Sequence, residues 1–503
     1  VALALVAGAC ERNVTAPQAR APLPRAGLLA SQPLVVAGSY IVTFQGPAAT
    51  GPLSARVAAA GGSVDLLRGD VGIALVSSLP DSAVASIAAV PGVVSVERDQ
   101  AYPMPAPLAL QDPLSGVGAA SASAPAQALL FAREWWLRAV HADAAWTGGV
   151  LGKSSTHVAI LDSGIDYQNP DLVGRVDLAR SASFVRPVRF LIPQPDGSFQ
   201  VVVFSEADTI AKYFPGRNPV TDLGLHGTMV ASIVSSNAAV LAGVTSGLSL
   251  MAVKACSYLF CTRSGIIRGI LYATDQGADV LNISLGGYVR KDGIGPSAQN
   301  YGGPGLPPGL AYMGYFNSLM TYALSKGVTV VVAAGNSGID LDHDANGFAD
   351  FCERPGVVCV SATGPVSSGP TFNGPFLPNV DVPAFYTNYG RSAIDVAAPG
   401  GNGTLDGTGN LLSAGYIWTP CSSTSMILPI CQTVPLLLGV LGTSFASPHV
   451  AAAAALIVEQ VGRNPGLVKA RLEQTADDLG AIGQDPYYGH GRLNVARAAG
   501  VIP

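Results

Sequence analysis

The stretch Gly442-Thr443-Ser444-Phe445-Ala446-Ser447-Pro448-His449 runs straight into the apolar segment Val450 to Val458, and it constrains this chain more than any other. The apolar segment predicts a buried helix, so the residues at its head stand at the edge of a core. Small residues around Ser444 leave its hydroxyl approachable. The helix N-terminus places unpaired backbone N–H groups and a positive dipole end beside it, a setting suited to holding a developing oxyanion. By itself the octapeptide is equally an ordinary helix start, with Thr443 or Ser444 as N-cap. Two upstream segments shift that balance. Asp162-Ser163-Gly164 closes the apolar strand His157 to Leu161, and His226-Gly227-Thr228 heads another apolar helix. A serine hydroxyl is a weak nucleophile that needs a base, and histidine titrates near working pH. The histidine in turn needs a carboxylate to fix its tautomer and stabilise its charged form. Taken singly, His226 could be a cap and Asp162 a turn former; with Ser444 they read as one nucleophilic set.

Bulk properties narrow the class. At 503 residues the chain exceeds a typical domain, so two or more units are expected. Apolar residues make up 49% and charged residues 12%, with 59 Gly and 37 Pro, as in a well-buried, loop-rich globular protein. The net charge of −5 and the lack of a basic stripe argue against nucleic acid as a partner. Six of the seven cysteines form close pairs, Cys256/Cys261, Cys352/Cys359 and Cys421/Cys431, consistent with disulfides made in an oxidising compartment; free buried thiols are the alternative. None has zinc-site spacing. Cys10 follows a short apolar run, Val1 to Ala9, that resembles the tail of a secretory signal. Its position after Ala-Gly-Ala also resembles a bacterial lipobox, departing at Ala7 where leucine is usual, so lipid attachment to a membrane through Cys10 is one expectation and a plain signal the other. Either sends the chain out of the cytoplasm. Ile427 to Leu441 is apolar but too short to span a bilayer and is broken by Pro429, Gln432 and Pro435.

Along the chain, residues 1–10 read as a truncated signal and 11–37 as an Ala/Pro/Arg-rich linker. Residues 38–102 show strand, helix, strand, strand, helix, strand: Tyr40 to Phe44, Leu53 to Ala60, Ser63 to Leu67, Gly72 to Ser77, Asp81 to Val90, Val93 to Val96. That order predicts a ferredoxin-like α+β plait. Residues 103–128 are rich in Pro, Ala and Ser and read as a linker. From 129 to 503 apolar strands alternate with amphipathic helices, Gly265 to Gln276 and Phe316 to Ser325 among them, which predicts an α/β domain with a mostly parallel sheet covered by helices on both faces. Active residues would then cluster at the carboxyl ends of the strands.

With three motifs in the order Asp162, His226, Ser444, the chain resembles the subtilisin-like serine proteases from about Gly38 to the C-terminus. The resemblance implies the three-layer subtilisin-like fold, hydrolysis of polypeptide substrates without a catalytic cofactor, and action as a monomer. It also makes 38–102 an inhibitory propeptide, the chain's own intramolecular inhibitor, and 103–128 the processing region. Pro103 is a poor residue after a scissile bond, so self-cleavage is expected within Pro105 to Ala128. In Val330 to Gly338, Asn336 matches the family's oxyanion-holding asparagine, acting with the Ser444 N–H. Ser284-Leu285-Gly286 and Ala333-Ala334-Gly335 match its substrate-lining segments, whose backbones pair with an extended peptide.

Some features depart from the family pattern. Asp342-His343-Asp344-Ala345-Asn346-Gly347 followed by Glu353 fits an EF-hand calcium loop, with Asp342, Asp344, Asn346, Phe348, Asp350 and Glu353 as its ligand positions. No helix pair flanks it, and an acidic surface loop is the competing reading. Asp162 and His226 lie farther apart than a minimal member needs, pointing to an insertion around Phe184 to Asp222; 286–310 and 414–441 read as further loops near the groove. An acid peptidase of the sedolisin type shares the nucleophile motif but lacks the His226-Gly227-Thr228 pattern. A catalytically silent scaffold on the same fold is the other alternative.

Overall fold

The computed structural model describes residues 34–104, 110–114, 116, 118–193, 199–286, 288–290, 308–344, 347–349, 351–365, 379–405 and 411–503. The signal expectation at 1–10 with Cys10, most of the 11–37 linker and most of the 286–310 loop lie outside them.

The N-terminal unit runs β1 (Leu34–Phe44), α1 (Thr50–Ala59), β2 (Ser63–Arg68), β3 (Ile73–Ser77), α2 (Val84–Ala88), β4 (Val93–Pro103). Its sheet order is β4-β1-β3-β2 with every neighbour antiparallel, which is a ferredoxin-like plait. Strand alternation divides its apolar residues between two cores. Tyr40, Val42 and Phe44 of β1 pack with Leu53 and Val57 of α1 and Ile87 of α2. Ile41, Ile73 and Leu75, on the other face, join the core of the large domain. The stretch expected as a bare linker contains β5 (Leu110–Pro113), an edge strand ending in proline.

The large domain follows with α3 (Trp135–Ala139), α4 (Ala142–Thr147), β6 (His157–Asp162), β7 (Ala182–Ser183), β8 (Val188–Pro193), β9 (Phe199–Phe204), α5 (Glu206–Tyr213) and α6 (His226–Val234). Next come β10 (Ser249–Lys254), β11 (Phe260–Thr262), α7 (Arg263–Asp275), β12 (Val280–Ile283), β13 (Tyr288–Arg290), α8 (Pro308–Ser325), β14 (Thr329–Ala333) and β15 (Gly347–Ala349). The chain closes with β16 (Val358–Thr363), β17 (Val396–Pro399), β18 (Asn402–Leu405), β19 (Leu411–Gly415), β20 (Ile417–Pro420), β21 (Leu436–Val440), α9 (Thr443–Val461), α10 (Pro465–Gln474) and α11 (Val495–Ala498).

A seven-stranded sheet, β17-β16-β14-β12-β6-β10-β7, is parallel throughout. Both faces are covered, so its strands are apolar on both sides. Val158 and Ile160 of β6 pack with α6 and α9 residues such as Met229, Val450 and Ala454. Ala159 and Leu161 face α7 and α8 through Ile267, Ile270 and Phe316. Two departures from the three-layer plan matter below. Strand β21 pairs with β20 and with β5, tying the chain just after the plait to the segment before α9. The hairpin β8–β9 stands off the main sheet and bridges to β1 of the plait at Phe190 and Val36. The expected cysteine pairs are joined as Cys256–Cys261, Cys352–Cys359 and Cys421–Cys431. Among the described residues, no helix is long and apolar enough to cross a membrane.

Candidate active site

Asp162 ends β6 and His226 begins α6, and the turns beside them explain the glycines of both motifs. Gly164 has φ of +107°, and a Cβ there would lie 2.4 Å from the Val220 carbonyl oxygen. A Cβ on Gly227 would lie 2.1 Å from the carbonyl oxygen of Gly164. The two turns therefore touch backbone to backbone, which only glycines permit. That contact brings the His226 ring over Asp162: Nδ1 donates to Oδ1 at 2.9 Å and Oδ2 at 2.8 Å. Asp162 is fully buried and also accepts from the Ser163 N–H at 2.7 Å. Burial of the ring pulls the His226 pKa down, but the Asp162 charge and hydrogen bond outweigh it and leave the pKa above its ordinary value.

Sequence reasoning missed Asp222, which holds this pair in place. Its Oδ1 accepts from Ser163 Oγ and the Gly224 N–H, each at 2.9 Å. Its Oδ2 accepts from the N–H and hydroxyl of Thr228, at 2.9 and 2.7 Å. Ser163 Oγ in turn accepts from the Gly227 N–H at 3.0 Å. Burial pushes the Asp222 carboxyl up to about 6. A carboxylate four positions before a histidine at a helix start, with Thr228 as its partner in the first turn, was the available signal.

Ser444 is the second residue of α9, so its N–H is among the first-turn donors that a helix leaves without an intrahelical partner. Its hydroxyl donates to the Ser284 carbonyl at 2.9 Å; among the described hydrogen bonds it does not reach His226. Catalytic hydrogen bonds are often slack without substrate, and rotation about one side-chain bond re-aims an oxygen of this kind. Pro448 lies inside α9 and has no N–H for the Ser444 carbonyl. Ser284 Oγ supplies that donor instead, at 2.8 Å, while lying 2.8 Å from Asn282 Nδ2 and 2.9 Å from Ser447 Oγ.

Asn336 follows β14 by three residues. Its Oδ1 accepts from both the N–H and the hydroxyl of Thr443, each at 2.8 Å. With its oxygen so held, Asn336 lines the cleft beside Ser444. A cleft of about 300 Å³ is lined by His226, Ser284, Leu285, Gly286, Ala333, Gly335, Asn336, Thr443 and Ser444. Ala334 is not among them: it is buried, its N–H donates to the Val360 carbonyl and its carbonyl accepts from Asn388 Nδ2, each at 2.9 Å. Strand alternation sends it to the core with Val330 and Val332.

The end of β4 runs into the same cleft. Tyr102 pairs with Cys261 and Pro103 with Phe260 of β11, and the Met104 N–H donates to the Leu259 carbonyl at 2.9 Å. Tyr102, Pro103 and Met104 line the cavity. Asp99 accepts at the head of α7 from the Ser264 N–H, and Arg263 stacks on Tyr102 with its guanidinium 5.3 Å from the ring centre.

At the expected calcium loop, the described carboxylates are engaged by the protein itself. Asp342 accepts from the Ser392 N–H and hydroxyl and from the Arg391 N–H, and Glu353 accepts from the Ala349 N–H. Both carboxylates thus serve as caps for protein donors, and no metal-competent group of three or more His, Cys, Asp or Glu side chains occurs among the described residues. Asn346 and Asp350 lie outside those residues, as does the side chain of Phe348.

The chain is similar to known proteins over most of its length. The family model described as "Subtilase family" matches residues 153–491. A thermophilic serine proteinase of Bacillus sp. (strain AK1) is 28% identical over 358 residues, 70% of this chain and 64% of that protein, so the chain spans less than two thirds of that relative's length. Thermitase of Thermoactinomyces vulgaris is 26% identical over 367 residues, 73% of this chain and 95% of thermitase. The crystal structure of the epidermin leader peptide processing serine protease of Staphylococcus aureus superposes with a TM-score of 0.64, covering 92% of this chain and 98% of that one at 20% identity, which is a likeness of fold.

Proposed function

This chain belongs to the subtilase family of serine proteases, and on that premise we propose that it is an exported endopeptidase working through Asp162, His226 and Ser444, which releases its own N-terminal plait. Ser444 Oγ attacks the carbonyl carbon of the scissile peptide, and its proton passes to Nε2 of His226. Asp162 holds the other ring nitrogen and stabilises the imidazolium so formed. The oxyanion is met by Nδ2 of Asn336 and the N–H of Ser444. His226 then gives the proton to the departing amine, leaving an acyl-enzyme. A water then attacks that ester while giving a proton to His226, and His226 passes the proton to the departing Ser444 Oγ, releasing the acid. The observation that carries the reading is the two-point seating of His226 on Asp162 beside a helix-initial serine and an amide pinned by Thr443.

The position of residues 101–104 along β11 supports the propeptide reading of 38–102, because a cut beyond Met104 would leave the new end in the cleft. Export agrees with the three disulfides. The test is the mass of the purified chain beside its Ser444→Ala variant. Loss of the N-terminal segment in the wild type alone supports self-cleavage. Two intact, folded chains would instead favour a catalytically silent scaffold.

A further inference from the structure

We propose that the hairpin β8–β9 is a docking arm for the N-terminal plait, which keeps the plait seated on the enzyme after the connecting chain has been cut. The inference rests on reading the plait as a propeptide and assigns its grip to a surface outside the cleft. Three parts of the chain meet there in one apolar cluster. The plait contributes Leu34, Val36 and Ala101; the arm contributes Val188, Phe190 and Phe204; Leu259 and Phe260 come from the cleft-edge segment. Val36, Val188, Phe190 and Phe260 are all buried. Phe260 takes the rings of both Phe190 and Phe204 edge-on, each at 4.9 Å. The backbone bridge Val36–Phe190 adds the arm to the plait's own sheet. A second point of contact lies at the arm's base, where Arg186 meets Asp65 of β2 at 3.3 Å, shared with Arg268 at 3.6 Å.

The arm is fixed to the large domain and does not travel with the plait. Phe204 packs on Tyr258 with the rings tilted and 5.6 Å apart. Helix α5 follows the arm directly, and its buried Glu206 lies 3.0 Å from the Lys254 ammonium at the end of β10. Cutting the chain beyond Met104 therefore changes nothing at the arm. It frees one end of a rigid plait that stays attached through the arm and through the sheet face carrying Ile41, Ile73 and Leu75, and attachments joined by a rigid body raise the effective concentration of each. Departure would also bare Val188, Phe190 and Phe260 together, an apolar patch costly to expose.

The test uses the full chain with a specific-protease site inserted after Pro105, ahead of β5 so that its pairing with β21 stays with the enzyme, and the cut needs no activity of the chain's own. Release of the plait is followed by size exclusion and by the lag before a short peptide substrate is hydrolysed. Val36→Asp alters only the plait and leaves the released enzyme's sequence intact, while Phe190→Ala alters the arm. Both are expected to speed release about tenfold or more, as loss of a buried anchor does, with the final peptide-hydrolysis rate unchanged. Release at the wild-type rate in Val36→Asp overturns the proposal, even if Phe190→Ala folds poorly. Failure of the uninserted chain to cut itself, combined with slow release after the added protease, would sink self-processing and leave the docking arm standing.

Discussion

Ser284→Ala removes one hydroxyl, yet the structure predicts a loss out of proportion to a surface serine. In α9 the Ser444 carbonyl would ordinarily accept from the N–H four residues on, and that residue is Pro448. Ser284 Oγ fills the gap at 2.8 Å and is itself within hydrogen-bonding distance of Asn282 Nδ2 and Ser447 Oγ. An ordinary hydrogen bond contributes about 0.5–1.5 kcal/mol net, but a buried group left without a partner costs about 1–3 kcal/mol. Ser284→Ala should sit at the upper figure, a fall of a few degrees in the melting midpoint of a domain this large. The compensating change is Pro448→Ala, which restores an N–H to the Ser444 carbonyl. Both are made in a Ser444→Ala background, so that self-digestion does not blur calorimetric scans. The double variant should recover about 1 kcal/mol relative to the sum of the singles. If the two effects simply add, within about 0.3–0.5 kcal/mol, then Ser284 is not standing in for the missing amide and the reasoning fails.

Asp162→Asn should lower kcat by about four powers of ten, as loss of the correct histidine tautomer does in serine proteases. His226 acts as a base only when neutral, and Asp162 holds its pKa above the ordinary value, so the wild-type rate should rise with pH along a limb above pH ~6.5. In the residual activity of Asp162→Asn that limb should move to lower pH, and an unmoved limb would mean another group controls it. Asn336→Ala should reduce kcat by about 10²–10³ with KM little changed, a range observed in subtilisin itself; a loss confined to KM would place Asn336 outside the oxyanion site. Asp477 is raised by burial but brought well below the usual carboxylate range by hydrogen bonds from His141, Asn494 and Arg492. A carboxyl depressed in the folded state stabilises above its unfolded pKa of about 4 and ceases to do so as pH falls. Unfolding midpoints of Asp477→Asn should therefore converge with wild type on acidification, and a constant gap down to low pH contradicts the linkage.

Local chemistry was readable in the sequence wherever it recurred at short range. The glycines of Asp162-Ser163-Gly164 and His226-Gly227-Thr228 announced two turns, and their mutual contact is what seats the histidine. The plait followed from period-two and helical patterns alone, and the cysteine pairs from spacing. Readings that depended on distant partners were not legible in the same way. Asp342 accepts from Ser392, fifty positions away, and nothing local announces that partner. The excess length before His226 marked an insertion, while its partner, Val36 of β1, could be found only by folding both pieces. Ala334 is a different case: it alternates with Val330 and Val332, and that local period sets its inward position.

Strand order explains why so short a set of motifs located the site. In the sheet β17-β16-β14-β12-β6-β10-β7, the chain starts at β6, moves to one side to form β7 and then β10, and crosses to the other side through β12 and β14. Helix α6, between β6 and β10, therefore covers one face, and α7, between β10 and β12, the opposite one. Connections that part in opposite directions leave a crevice outside the carboxyl end of the strand where they part, and Asp162 is the last residue of that strand. The ends of β12 and β14 then deliver Ser284 and Asn336 to the same rim, and α9 returns beneath β12 and β14 to start at Thr443. A sequence that encodes a parallel sheet with this order can bring a carboxylate, a helix-initial histidine and a helix-initial serine together only at that edge. Displacing β6 from its place between β12 and β10 would scatter all three at once.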